Sequence, residues 1–287
     1  MADNLRVAMI ASNVLRIPPT NGFVPDGWSG APEWNVYDVT EGLVKKGLDV
    51  TLFASGNSKT SAKLESIHPL DCYTDPLIGL GKHLGYEMML LSQAYRLAQK
   101  GKFDIIHSQV PRSGLFSELV KTPTVTTLHS PLDNDIGGIL KYMKNSQYYV
   151  SISDSQREPV PDLNFIATVY HGVDVKRIPW NKQKESYLIY AGRIIPEKGV
   201  DLAIEIAKKA GKKLVLVGSP VSEENSFWRE KIKPNINQKD IIYEGLKSKD
   251  EVFEYLKKAT ACLMPIQVRE PFGLVMIEAM ACGTPVI

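Results

Sequence analysis

The segment REPFGLVMIEAMACGTPVI (269–287) places two carboxylates, Glu270 and Glu278, eight positions apart across the start of a predicted helix. Apart from Glu278, the helix expected over 274–282 is apolar on every face, which marks it as buried. A carboxylate inside such a helix is costly unless hydrogen-bond donors or a cation meet it. Pro271-Phe272-Gly273 ahead of Leu274 fits a first-turn proline and exposes backbone N–H groups beside Glu270. A loop carboxylate, a helix N-terminus and a second carboxylate two turns on would trap a polyol. Glu278 paired internally with a lysine or tyrosine is the structural alternative.

A second cluster follows the apolar run YLIYAG, which continues as RIIPEKGVDLAIEIAKKA. The helix is expected to start near Gly199, with Lys198 at its N-terminal end. A cation there opposes the helix dipole, an arrangement that makes sense if Arg193, Lys198 and free backbone N–H groups hold a phosphate together. Spacing alone equally allows a solvated Lys198 beside Glu197. His129 closes the strand TVTTLH and precedes the turn SPLDND. That puts it at a carboxyl end, where open parallel α/β sheets bind ligands, although a lone histidine also serves as a structural residue. His68, His83, His107 and His171 are weaker candidates. Dinucleotide, P-loop and nucleophile-elbow glycine motifs are absent, so nicotinamide, P-loop and α/β-hydrolase chemistry lose their main support.

The elements that position these residues alternate from end to end. Strands are predicted over 6–12, 48–55, 103–109, 124–130, 148–153 and 165–172. A second set covers 187–193, 213–219, 240–246 and 261–266, with a last strand begun at Pro285-Val286-Ile287. Helical periods between them give βαβ units and a parallel sheet. EGLVKKGLDVTLFASG (41–56) and EIAKKAGKKLVLVGSP (205–220) repeat one plan: a helix ending in Lys-Lys, a glycine stop, a strand and a small-residue loop. Two Rossmann-like domains are therefore expected, 1–171 and 187–287, with a linker over 172–186. The 287 residues carry 34 basic and 32 acidic side chains, a balance that argues for no nucleic-acid partner. Three scattered cysteines and five scattered histidines predict neither a disulfide framework nor a metal site. No run is long enough for a signal peptide or membrane span, so a cytoplasmic location is expected. Peripheral membrane contact is left open, LKYMKNSQYYV (140–150) being too weak a basis for it.

Several stretches together resemble retaining glycosyltransferases of family 4. They are RIPP (16–19), GAPEWNVYDVTEGLVKKGLDVTLFASG (30–56), TLHSPLD (127–133), SISDSQREPVPDLN (151–164), VYHGVD (169–174), YAGRIIPEKGVDLAIE (190–205) and EPFGLVMIEAMACGTPVI (270–287). The resemblance implies the glycosyltransferase-B fold of two facing Rossmann-like domains. It also implies a nucleotide-diphosphate sugar donor, UDP-linked hexose by family frequency, with no metal or other cofactor and an unknown acceptor. On this basis Arg193 and Lys198 would neutralise the diphosphate, and Gly30 would lie near it. Glu278 would bind ribose, and Glu270 the donor sugar with the backbone of Phe272, Gly273 and Leu274. His129 would orient the sugar and acceptor; Tyr243 and Gly245 would line the base pocket. His129 and Glu270 are thus the expected catalytic pair, and front-face attack would retain the anomeric configuration.

Two departures stand out. Gly30-Ala31-Pro32-Glu33 replaces the usual Gly-Gly ahead of a Glu, after an unusually long loop (20–29). The family also continues beyond GTPVI, so the second domain is expected to be C-terminally truncated, with an unfinished sheet edge and poor solubility. A non-catalytic nucleotide-sugar-binding relative, or an epimerase on the same fold, is the competing expectation.

Overall fold

The computed structural model describes residues 5–20, 30–133 and 135–287. Most of the long loop ahead of Gly30, residues 21–29, lies outside them. The described residues form two compact units, 5–20 with 32–170, and 30–31 with 171–287.

The first unit runs β1 (Arg6–Ile10), α1 (Ala31–Lys45), β2 (Asp49–Phe53), β3 (Lys63–Glu65), α2 (His83–Gln99), β4 (Ile105–Ser108) and α3 (Gly114–Ser117). It continues through β5 (Thr124–Thr127), α4 (Asp135–Tyr142), β6 (Tyr148–Ser151), α5 (Asp154–Arg157) and β7 (Phe165–Thr168). Its sheet has the order β3-β2-β1-β4-β5-β6-β7, parallel throughout. Six of these strands are predicted from the sequence. β3 is not, because Lys63-Leu64-Glu65 is short, charged and at the edge, where pairing with β2 rather than propensity creates it. Both sheet faces are covered, so β1 is apolar at every position after Arg6. Val7 and Met9 pack with Val36 of α1, while Ala8 and Ile10 pack with Leu90, Leu91 and Ala94 of α2.

The second unit runs β8 (Tyr187–Ala191), α6 (Val200–Lys209), β9 (Lys213–Val217), β10 (Ile241–Gly245), α7 (Lys249–Lys258), β11 (Ala261–Cys262) and α8 (Leu274–Ala281). Its parallel sheet has the order β10-β9-β8-β11, and Val286 bridges Cys262 in parallel where the last strand is predicted. One face, through Leu188 and Tyr190, packs on Val200, Ala203 and Ile204 of α6. The other, through Ile189 and Ala191, packs on Val252, Phe253 and Leu256 of α7 and Ala279 of α8. Each large side chain so buried contributes about 1.5–3 kcal/mol, which makes these faces the main source of stability. Ile178, inside the expected linker, is buried in the α7/α8 core.

The repeat in the sequence maps onto equivalent places. β2 and β9 each lie second, and β1 and β8 third, from one edge of their sheet, and each helix is followed by a glycine in the left-handed region, Gly47 at φ +85 and Gly211 at φ +59. The three cysteines, Cys72, Cys262 and Cys282, are free thiols and fully buried. Among the described residues, no helix is long and apolar enough to cross a membrane, and no group of three His, Cys, Asp or Glu could hold a metal ion.

Candidate active site

The carboxyl ends of β8, β9 and β10 are stitched together by their loops. Gly192 N–H donates to Val217 O at 3.0 Å, Ile194 N–H to Ser219 O at 3.0 Å, and Gly218 N–H to Gly245 O at 2.9 Å. The approach is close enough to exclude a side chain: a Cβ on Gly218 would lie 1.9 Å from Gly192 O. Tyr190, buried in the strand, donates its hydroxyl to Arg193 O at 2.6 Å and so fixes the backbone of the half-buried Arg193.

Lys198 lies in a short 3₁₀ turn, Pro196–Lys198, directly before α6. Gly199 links the two at φ +67, and a Cβ there would meet Pro265 O at 1.9 Å. With Gln267 N–H donating to Glu197 O at 2.9 Å, this contact presses the start of α6 against the segment after β11. Glu270 is carried on that segment, and its Oε2 is bonded to Lys198 Nζ. The predicted phosphate cation and sugar carboxylate therefore meet as an ion pair.

Gly273, at φ +86, caps α8. Its Cβ position lies 3.5 Å from Glu270 Cγ, so the helix N-terminus with its N–H groups adjoins the ion pair. The first-turn reading of Pro271 is corrected: the left-handed Gly273 starts the helix, leaving Pro271 two residues outside. Phe272 meets His171 edge to face, with ring centroids 5.3 Å apart. Burial pushes the His171 imidazole down to about 4, so it is neutral at physiological pH.

Glu278, one turn into α8, is 8% exposed, and its Oε1 accepts from Lys249 Nζ at 3.1 Å. Lys249 is the first residue of α7, after the Ser248/Glu251 capping box, and its ammonium also lies 5.8 Å from the Phe253 ring centroid. The internal lysine weighed for Glu278 thus exists. Its sequence signal was a cation at a helix start, where the dipole disfavours it. Tyr243 packs its ring on Trp228, centroids 4.8 Å apart, and its hydroxyl is pushed up by burial. Gly245 ends β10 at φ +71, with open space where a Cβ would lie.

His129 and Gly30 lie apart from this cluster in the chain. Gly30 directly precedes α1. His129 follows β5 in the first unit, and its Nε2 is 2.7 Å from Gln109 Oε1. Gln109 Nε2 is in turn 3.1 Å from His107 Nε2, which is also 2.9 Å from Thr127 Oγ1. Gln109 went unremarked in the sequence, although it too follows a strand at its carboxyl end.

Two parallel sheets, each covered by helices on both faces, are the plan of the glycosyltransferase-B fold. Residues 33–177 match Glycosyltransferase Family 4, and residues 174–287 match Glycosyl transferases group 1. The chain belongs to this glycosyltransferase family. It is 29% identical over 202 residues to an uncharacterized glycosyltransferase of Methanocaldococcus jannaschii, a match covering 64% of this chain and 55% of the relative. The match thus spans only about half the length of that relative. The fold is shared with sucrose-phosphate synthase of Thermosynechococcus elongatus (TM-score 0.75, 20% identity, 98% of this chain and 80% of that one). It is shared also with the Anabaena protein HepE in complex with UDP and glucose (TM-score 0.69, 15% identity, 98% and 80%).

Proposed function

We propose that this protein transfers a hexose from a UDP-linked donor to an acceptor hydroxyl, with retention of anomeric configuration and without a metal. The observation that carries the reading is the meeting of Lys198, Glu270 and the α8 N-terminus beside the loops after β8 and β11. Breaking a sugar–phosphate bond builds negative charge on the diphosphate and positive charge on the ring. Lys198 and Arg193 supply the cations for the first, and the N–H groups of Phe272, Gly273 and Leu274 add aligned dipoles. Glu270 supplies the carboxylate for the donor sugar hydroxyls. In the absence of donor, the two charges neutralise each other. On binding, the diphosphate takes over the ammonium and the sugar hydroxyls take over the carboxylate, so neither charge is left alone in a partly buried place.

Glu278 is assigned to the ribose hydroxyls and Gly245 to the rim of the base pocket, with Tyr243 behind it. His129 of the first unit is assigned to orient substrate hydroxyls, and Gly30 to the approach of phosphate or acceptor to the backbone. That HepE was solved with UDP and glucose supports the choice of donor for this chain.

The test is release of UDP from UDP-glucose, measured with and without EDTA. Turnover should persist in EDTA and fall about 10²–10³-fold in Lys198→Met, the usual effect of removing one preorganised charge donor. UDP binding by calorimetry with no turnover on any UDP- or GDP-sugar would replace the enzyme reading with that of a binding relative. Absence of both would end it.

A further inference from the structure

Gln109 follows β4 in the first unit, between two histidines whose protons it can assign. Its backbone is fixed by the bond from its N–H to Ile10 O at 2.9 Å. Its side-chain amide has one accepting oxygen and one doubly donating nitrogen, and the neighbours decide which way round it lies. Nε2 is 3.5 Å from the sulfur of Met9 and 3.1 Å from His107 Nε2. A thioether accepts and cannot donate, so the nitrogen belongs on that side, one hydrogen toward Met9 Sδ and the other toward His107. His107 is neutral, its imidazole pushed down to about 4 by burial, so a lone pair on Nε2 can receive that hydrogen while Nδ1 keeps the proton. Oε1 then faces His129 Nε2 at 2.7 Å and must accept from it.

We infer that Gln109 is a positioning residue that accepts from His129 Nε2–H, and so keeps a proton on that nitrogen and fixes the orientation of the His129 ring. The Nε2 proton follows from the contacts of Gln109 with Met9, His107 and His129. The substrate role rests on the assignment of His129 made above. Met9 pairs with His107 across β1 and β4, and Met9 is wholly buried, so the amide orientation is set by the sheet itself.

The tautomers are read directly from two-bond ¹H–¹⁵N spectra of the intact protein labelled with ¹⁵N-histidine, with His107→Asn and His129→Asn used for assignment. His129 should show the proton on Nε2 and His107 on Nδ1. Gln109→Leu, which can neither accept nor donate, should turn His129 into a mixture of tautomers. Gln109→Glu, which keeps the accepting oxygen, should restore the Nε2–H form. UDP release from UDP-glucose should fall about tenfold in kcat for Gln109→Leu, the value of one hydrogen bond to a reacting group, with KM for donor within about twofold. Recovery of kcat in Gln109→Glu would separate the tautomer effect from a packing defect. Wild-type His129 protonated on Nδ1, or an unchanged Nε2–H signal in Gln109→Leu, would overturn the inference. His129→Ala with undiminished turnover would instead overturn the assignment of His129 to substrate, whatever its tautomer.

Discussion

Glu33 is the third residue of α1, 5% exposed, and its Oε2 has no hydrogen-bond partner among the described residues. Burial raises this carboxyl from its ordinary 4.5 to about 7, against a smaller opposing effect from its own backbone N–H. The folded state therefore holds a proton that the unfolded chain has released. Its stabilising effect is complete below about pH 4.5 and is lost as the pH rises through 7. Glu33→Gln should be more stable than the parent at pH 8, by up to about 3 kcal/mol, and nearly equal to it at pH 4. Urea unfolding at both values measures this; a difference independent of pH would contradict it. Chemistry-bearing side chains were legible in the sequence where they interrupted a pattern, as Glu278 interrupts an apolar helix. Partners were not. Lys249 lies 29 positions from Glu278, and Gln109 lies 20 from His129, and only the fold brings each pair together.

At the scale of elements, α7 and α8 are coupled by the Lys249–Glu278 pair above their shared apolar contacts. Removing the ammonium in Lys249→Met leaves a nearly buried carboxylate, and should cost about 2–3 kcal/mol, discounted from the fully buried case because Lys249 is partly exposed. The double variant Lys249→Met/Glu278→Met should recover most of that loss. Additive losses across the thermodynamic cycle would show that the pair is not coupled. Gly199 tests the other junction. Its left-handed backbone and the 1.9 Å approach of Pro265 O leave no room for a methyl group, so Gly199→Ala should lower stability by at least about 2 kcal/mol and weaken donor binding. Element types were readable because the helices and strands have different periods. The edges were less so: β3 exists through pairing, and the start of α8 is set by Gly273 rather than by Pro271. Both depend on contacts between elements that no local pattern encodes.

For the molecule as a whole, the alternation of strands and helices and the repeated Lys-Lys-Gly helix ends mark two doubly wound sheets in the sequence itself. The edge strand β3 of the first sheet and the packing of Ile178 against the second were outside that reading, since both follow from how a finished sheet recruits its surroundings. The three buried thiols give the molecule an internal clock. Burial raises Cys72 and Cys282 to about 11 and Cys262 to about 12, so in the closed state they are neither accessible nor ionised enough to react. Alkylation must wait for opening, and mass spectrometry then names the part that opened: one adduct on Cys72 dates the first unit, and adducts on Cys262 and Cys282 date the second. UDP at a hundred times its dissociation constant should slow labelling of the latter two about 100-fold and leave Cys72 nearly unchanged. Equal slowing at all three would mean that the two units open as one. The same cysteines that predicted neither a bridge nor a metal thus timestamp, residue by residue, how long each half of the protein stays shut.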